Sequence, residues 1–406
     1  MEKNLRIRGV VCRLYSPSTK EKLWQSCNSN RFVWNFFLAR RIKRYEKDKP
    51  TSYKEDATFL TKLKNKKYKW LKNVSSIILQ QTLKDLDTAF QNFFRRIKNG
   101  EVPGFPKFKK KFKCRNSFRI VNKLEIRLKK DVLNIPKVGN VKITISQDFN
   151  IDNVKSYTIF EDCGKWFVSF IEYFKPKKFK KTKSQIGIDL GVKKLIYPSK
   201  GKYINPFKNE TLERRIKTKQ KDLSRKTKQS NNWIKCKQEL KLLHQKLRWK
   251  HKDYLHKVST ILVNNHDLIV VETLKTRNMT RSAKGTINKP GKNVRAKSGL
   301  NRSILKQGWN ILLTMLEYKC DWYGKTFIKV DPKYTSQTCS SCGHVSKKNR
   351  RSQKSFKCIS CGFQRNADRN AAKNILNKGL ILNKKRVGLT LCGGTYRVPT
   401  KQESRR

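Results

Sequence analysis

A net charge of +68 is the hardest constraint on this chain: 97 Lys and Arg stand against 29 Asp and Glu in 406 residues. Self-repulsion on that scale opposes a compact state standing alone. A polyanion relieves it, and counterions released from phosphates drive the association. The basic residues run through the whole length, so the charge belongs to the folded body rather than to a tail. Nucleic acid is therefore the expected partner. An anionic membrane surface is the other reading, but no strongly amphipathic basic helix stands out. No apolar run reaches the roughly 18 residues that would cross a bilayer, and MEKNLRIRGVVCRL holds too short an apolar stretch for a secretory signal. The protein is expected in the cytoplasm, and 36% hydrophobic residues give it enough to bury a core of two or three domains.

The pattern along the chain changes near residue 175. Residues 4–16 alternate as a strand does. Leu23, Trp24, Cys27, Val33, Trp34, Phe37 and Ile42 then mark helices with one buried face, expected to break near Asn28–Asn30. Leu79, Leu83, Leu86, Phe90, Phe93 and Ile97 step by four and three, a helical stripe for core packing over about 75–98. The Gly- and Pro-containing segment 99–120 sets Phe105, Phe108 and Phe112 among lysines. Such rings can stack on bases or simply anchor the loop. LEIRL, VLNIP, VKITIS, KSYTIF and KWFVSFIEYF read as an antiparallel barrel or sandwich. These features place an amino-terminal domain at 1–174, ending in the basic linker KPKKFKKTK at 175–183. Beyond it, strands and helices alternate, which implies an α/β sheet over 184–377. Residues 209–265 read as a charged helical hairpin broken near Ser230–Asn232, 275–299 as a basic mobile loop, and 378–406 as a disordered tail.

Four of the eleven cysteines form a pattern. Cys339-x2-Cys342 and Cys358-x2-Cys361, fifteen residues apart, have a recognised zinc spacing. Gly343 and Gly362 follow the two pairs and free the backbone to wrap the sulfurs. Four thiolates close a tetrahedron and leave no open position, so the Zn2+ would be structural, in a ribbon over 336–363. His344 is then an ordinary surface residue or one that supports the cysteines without touching the metal. The other seven cysteines are expected to be reduced.

Three acids sit in apolar settings in a chain poor in acid. Asp189 lies in IGIDLGV, Glu272 ends LIVVE, and Asp368 opens the helical run ADRNAAKNIL. Singly, the first two read as strand-end acids paired with lysine, and Asp368 as a helix N-cap. Converged, they would repel one another unless a hard, oxygen-loving cation such as Mg2+ or Mn2+ sat between them.

GIDLGV, then VVETL, then a ribbon led in by DPKYTSQTCSSCG and running out into ADRNAAKNIL, resemble the split RuvC-type nuclease domain of the TnpB family. RFVWNFFLAR, VPGFPKFKKK and RNSFRI resemble that family's amino-terminal half, so the likeness spans about residues 5–377. It implies an RNase H-like fold holding the ribbon, and an amino-terminal β-barrel with inserted helices that holds guide RNA and reads duplex DNA. It implies Asp189, Glu272 and Asp368 as the metal-binding catalytic acids. It also implies double-stranded DNA cut beside a short adjacent motif, directed by an RNA from the protein's own locus in a bacterium or archaeon. One protein chain would assemble with that RNA. Many relatives carry an acid where Asn366 stands here. No histidine lies between His266 and His344, so a second, histidine-dependent nuclease domain does not fit, and one site serves both strands. The rival readings are a miniature type V CRISPR effector with the same chemistry, a non-cleaving guided regulator, and an end-joining transposase.

Overall fold

A computed structural model describes residues 5–15, 18–49, 51–111, 113–121, 126–352 and 354–391, with side chains up to residue 384. The chain forms two compact units, Met1–Lys175 and Pro176–Arg406.

The first unit opens with β1 (Arg6–Tyr15), followed by α1 (Lys20–Tyr45), α2 (Tyr53–Lys66) and α3 (Ser76–Lys98). Six strands complete it: β2 (Ser117–Ile120), β3 (Arg127–Lys129), β4 (Val132–Ile135), β5 (Gly139–Thr144), β6 (Val154–Asp162) and β7 (Lys165–Phe174). They form one antiparallel sheet in the order β2-β6-β7-β1-β5-β4-β3. The strands expected to make a barrel or sandwich are thus joined edge to edge in one sheet, and among the described residues no ladder joins β2 to β3. On β1, Val10, Cys12 and Leu14 point inward and pack with Leu23, Val33 and Phe37 of α1 and Leu79, Leu83 and Leu86 of α3. The α3 stripe leaves the core towards its end: Ile97 is 50% exposed. Phe105 covers that stretch, edge-on to Phe90 and Phe93 at 5.7 and 5.2 Å. Its ring anchors the loop. Phe112 lies outside the described residues.

One sequence expectation is overturned here. Helix α1 is continuous through Asn28–Asn30. The Asn30 amide donates to the Ser117 carbonyl and the Thr82 hydroxyl meets its side-chain oxygen, so tertiary bonds override a weak local preference. Helix α2, which hydrophobic spacing did not reveal, is set by a capping box between Ser52 and Glu55.

In the second unit, β8 (Gln185–Leu190), β9 (Ile196–Pro198), β10 (Leu268–Glu272) and β11 (Thr326–Val330) make a sheet in the order β11-β10-β8-β9. Strands β8, β10 and β11 are parallel, and β9 returns antiparallel beside β8. The helices are α4 (Glu210–Arg225), α5 (Asn231–Asn265), α6 (Thr276–Met279), α7 (Val294–Gln307), α8 (Trp309–Tyr323) and α9 (Ala367–Leu391). A small pair, β12 (Ser355–Lys357) and β13 (Gln364–Asn366), lies just before α9. LIVVE reads as an unbroken apolar run because helices cover both faces of β10. Ile269 and Val271 pack with Leu255, Leu262, Leu312 and Leu316 of α5 and α8. Leu268 and Val270 pack with Ile375 and Leu376 of α9.

The hairpin break falls at residues 226–230, where the Ser230 hydroxyl accepts from Trp233 N and starts α5. The basic segment 275–299 is more structured than its composition suggests. It contains α6 and the start of α7, tied together by Lys297 Nζ donating to the Met279 carbonyl and Asn301 donating to the Thr280 carbonyl. Residues 378–391, read from sequence as disordered, continue α9; residues 392–406 lie outside the described residues. Residues 175–184 hold no helix or strand but are fixed to the second unit, with Phe179 stacked on Tyr323 at 3.8 Å. Among the described residues no helix is long and apolar enough to cross a membrane.

Candidate active site

Strand periodicity and one turn of helix bring the three acids to a common region. In the parallel register Val271 sits beside Ile188. One residue further on, each strand carries its acid, Glu272 and Asp189, at the carboxyl end of the sheet. Asp189 shares a face with Gly187, two residues earlier. That face is covered by α9: a Cβ on Gly187 would lie 2.2 Å from the Ala372 carbonyl oxygen. One helical turn before Ala372 stands Asp368. Gly379, further along α9, meets β10 as closely, 2.4 Å from a Val270 methyl to its own would-be Cβ. Glycine at both positions lets helix and sheet backbones approach, and α9 thereby carries Asp368 to the end of the sheet where Asp189 stands.

The electrostatics follow. Burial first, then the charges of Glu272 and Asp368, push the Asp189 carboxyl up to about 8, against the pull of Arg350. Burial also raises Glu272, opposed by the Thr335 hydroxyl, which donates to Glu272 Oε1. Asp368 is raised by burial and eased by Arg350, whose Nη2 lies 3.3 Å from Oδ1, and by the Tyr197 hydroxyl. Tyr197 is the cross-strand partner of Asp189 on β9. The carboxylate oxygens of the three acids do not all lie within 4.8 Å of one another; among the described residues only the cysteine set does.

Asp368 is not the N-cap of α9. Asn366 Oδ1 accepts from both Asp368 N and Arg369 N at 3.1 Å, which leaves the Asp368 carboxylate free of that duty. Asn366, Asn370 and Asn374 recur every fourth residue, and the last two reach into the ribbon's lead-in. Asn370 donates to the Thr338 carbonyl and accepts from Ser340 N; Asn374 donates to the Thr335 and Thr338 carbonyls. Asn370 and Asn374 escaped the sequence reading, although the i, i+4 spacing was visible.

Cys339, Cys342, Cys358 and Cys361 place their four Sγ atoms within 4.8 Å of one another. The Sγ atoms of Cys339 and Cys361 are 3.7 Å apart, and those of Cys342 and Cys358 3.6 Å. Tetrahedral Zn–S bonds of 2.3 Å imply sulfurs about 3.8 Å apart, so the cluster fits a structural zinc. Gly343 and Gly362 have φ of 80° and 71°, and each donates its N–H to the carbonyl of the first cysteine of its pair. That left-handed turn folds each pair around the sulfurs.

Three family profiles match the chain: "Helix-turn-helix domain" over 4–50, "Probable transposase" over 138–283 and "Cas12f1-like, TNB domain" over 309–375. Residues 6–45 here form one strand and one long helix. The chain is 41% identical over 353 residues to "Putative RNA-guided DNA endonuclease InsQ" of Escherichia coli (strain K12), covering 86% of each. It is 31% identical to a "Putative RNA-guided DNA endonuclease" of Streptomyces pristinaespiralis, covering 92% of this chain and 88% of that one. In fold it is similar to a Cas12f1 chain solved by cryo-EM with sgRNA and target DNA, with a TM-score of 0.54 at 14% identity over 93% of this chain and all of that one. By this likeness along most of its length, the chain belongs to the TnpB family.

Proposed function

We propose that this chain is an RNA-guided DNA endonuclease in which Asp189, Glu272 and Asp368 hold Mg2+ or Mn2+ on an RNase H-like sheet. The observation that carries the reading is the Asp189 carboxyl, half-buried at a strand's carboxyl end and raised by two further acids. In a chain of +68, Asp189 nonetheless has two further acids, Glu272 and Asp368, near enough to raise it, and a hard divalent cation is what such oxygens suit. When bound, the cation supplies an activated water and stabilises the leaving oxygen of an in-line phosphodiester cut. The chain's own groups do the positioning. β8 and β10 set two acids one strand apart, Thr335 orients Glu272, and α9 brings Asp368 with Arg350 and Tyr197 against it.

The names of the relatives support RNA guidance. The first unit would carry guide RNA and the duplex beside the cut, and base pairing with the guide would select the sequence. The four-cysteine cluster would hold zinc as a rigid brace between the Thr335 loop and α9.

The test is cleavage of a plasmid library by protein co-expressed with RNA from its own locus, in Mg2+, beside an Asp189→Ala control. Guide-matched cuts next to a fixed short motif, absent in the mutant, are expected. Guide-dependent binding without cutting would make the chain a regulator. Cutting that persists in Asp189→Ala would remove the three acids from the mechanism.

A further inference from the structure

Beside Glu272 the second unit opens a cleft of about 750 Å³, lined by Leu274, Lys275, Met279, Asp331, Pro332 and Lys333. It lies beyond the carboxyl ends of the adjacent parallel strands β10 and β11, the position where open α/β sheets bind ligands. Its size falls within the range of small-molecule sites.

Both walls are held in place. On one side, Thr276 Oγ1 donates to Asn310, and Lys297 Nζ donates to the Met279 carbonyl at 2.6 Å. On the other, Lys378 Nζ from α9 donates to the Asp331 and Lys333 carbonyls, and Asp331 Oδ1 accepts from Lys333 N. The second wall continues into Thr335, which orients Glu272. The cleft and the acid therefore share one loop. Its chemistry is mixed: Leu274, Met279 and Pro332 are apolar, Lys275 and Lys333 are exposed cations, and Asp331 is the one anion.

We propose that this cleft receives the base of a DNA nucleotide next to the scissile phosphate. Apolar side chains meet the flat face of the base. Lys275 and Lys333 meet the flanking phosphates. Asp331 repels phosphate and so turns the base, not the backbone, inward. A nucleotide seated there fixes the strand's register over Glu272, which makes Leu274 and Met279 positioning residues for the cut. The inference rests on the nuclease reading above.

The experiment uses the full protein with its guide RNA and a guide-matched DNA. A single abasic site is walked through each position flanking the cut. Wild-type protein is expected to lose about ten-fold in cleavage rate, or to shift its cut by a nucleotide, at one position only. The Leu274→Ala/Met279→Ala double variant should be slower on intact DNA and indifferent to the abasic site there, with guide-dependent DNA binding unchanged. Guided cutting by wild type that no abasic position alters would overturn this inference alone, as would a double variant that keeps wild-type sensitivity. Absence of guided cutting by wild type would overturn the nuclease reading and this inference with it.

Discussion

Two acids outside the candidate site show how single residues are balanced in so basic a protein. Asp56 is fully buried between α1 and α2 and takes Arg40 Nη1 at 2.5 Å and Arg41 Nε at 2.6 Å; Arg41 also reaches Asp87 at 3.0 Å. Removing one partner strands a buried charge. Asp56→Ala should therefore cost about 3–5 kcal/mol, seen in thermal or denaturant unfolding, while Asp56→Ala/Arg41→Met should recover part of it. Asp267 works differently. Partial burial would raise its carboxyl, but Lys325 Nζ and the N–H groups of Thr182 and Lys183 outweigh that and hold it down at about 2. Because the folded value lies below the ordinary one of 3.8, its stabilisation is complete above about pH 4 and is lost as pH falls towards 2. Asp267→Asn should lower stability by about 1–2 kcal/mol at neutral pH and abolish that part of the acid dependence; an unchanged acid limb would remove the residue from the balance. Asp368 was legible in the sequence as an acid at a helix start. Whether it caps that helix was not, because Asp and Asn cap equally well and only the fold shows that Asn366 takes the cap.

At the scale of elements, α9 decides the site. Its contact with β8 depends on Gly187, where a methyl group would fall 2.2 Å from a main-chain oxygen that cannot yield cheaply. Gly187→Ala should cost about 1–3 kcal/mol by overpacking and lower cleavage further by displacing Asp368 from Asp189. Gly299→Ala on α7, with nothing within 4 Å, is the control and should be neutral or stabilising by up to about 1 kcal/mol. A melt and a cleavage rate on both variants check this. Strands β8 and β10 were readable because apolar runs of this kind belong to sheets covered on both faces. The first turn of α7 was not, because polar sequence fits a loop and a solvated helix face equally well. The supposed break in α1 failed for the opposite reason: Asn28–Asn30 looks like a turn locally, while Asn30 is held by bonds to residues 52 and 87 positions away.

For the whole molecule, charge sets the conditions of folding and binding alike. If the +68 serves phosphate, affinity for guide RNA should fall steeply with salt. Engaging six to ten phosphates of a single strand would cost about 10²–10⁴ in affinity between 50 and 200 mM. A filter-binding series should give a log–log slope steeper than about −4, since single strands contribute about −0.7 per contact. A slope near −1 would mean that the charge has another purpose. Composition announced this at once, whereas the pairing of ribbon and helix stayed hidden, since asparagines spaced by four look like any solvated helix face. That ladder also fixes where two relatives can exchange parts. A transplant bounded by the cysteines, 339–361, would cut between the groups this ladder joins: Ser340 N, which Asn370 accepts from, would be exchanged, while the Thr335 and Thr338 carbonyls that Asn370 and Asn374 hold would stay behind. The exchangeable block runs from Thr335 through Asn374, with Asp368 inside it, so a borrowed ribbon arrives with its own share of the candidate site.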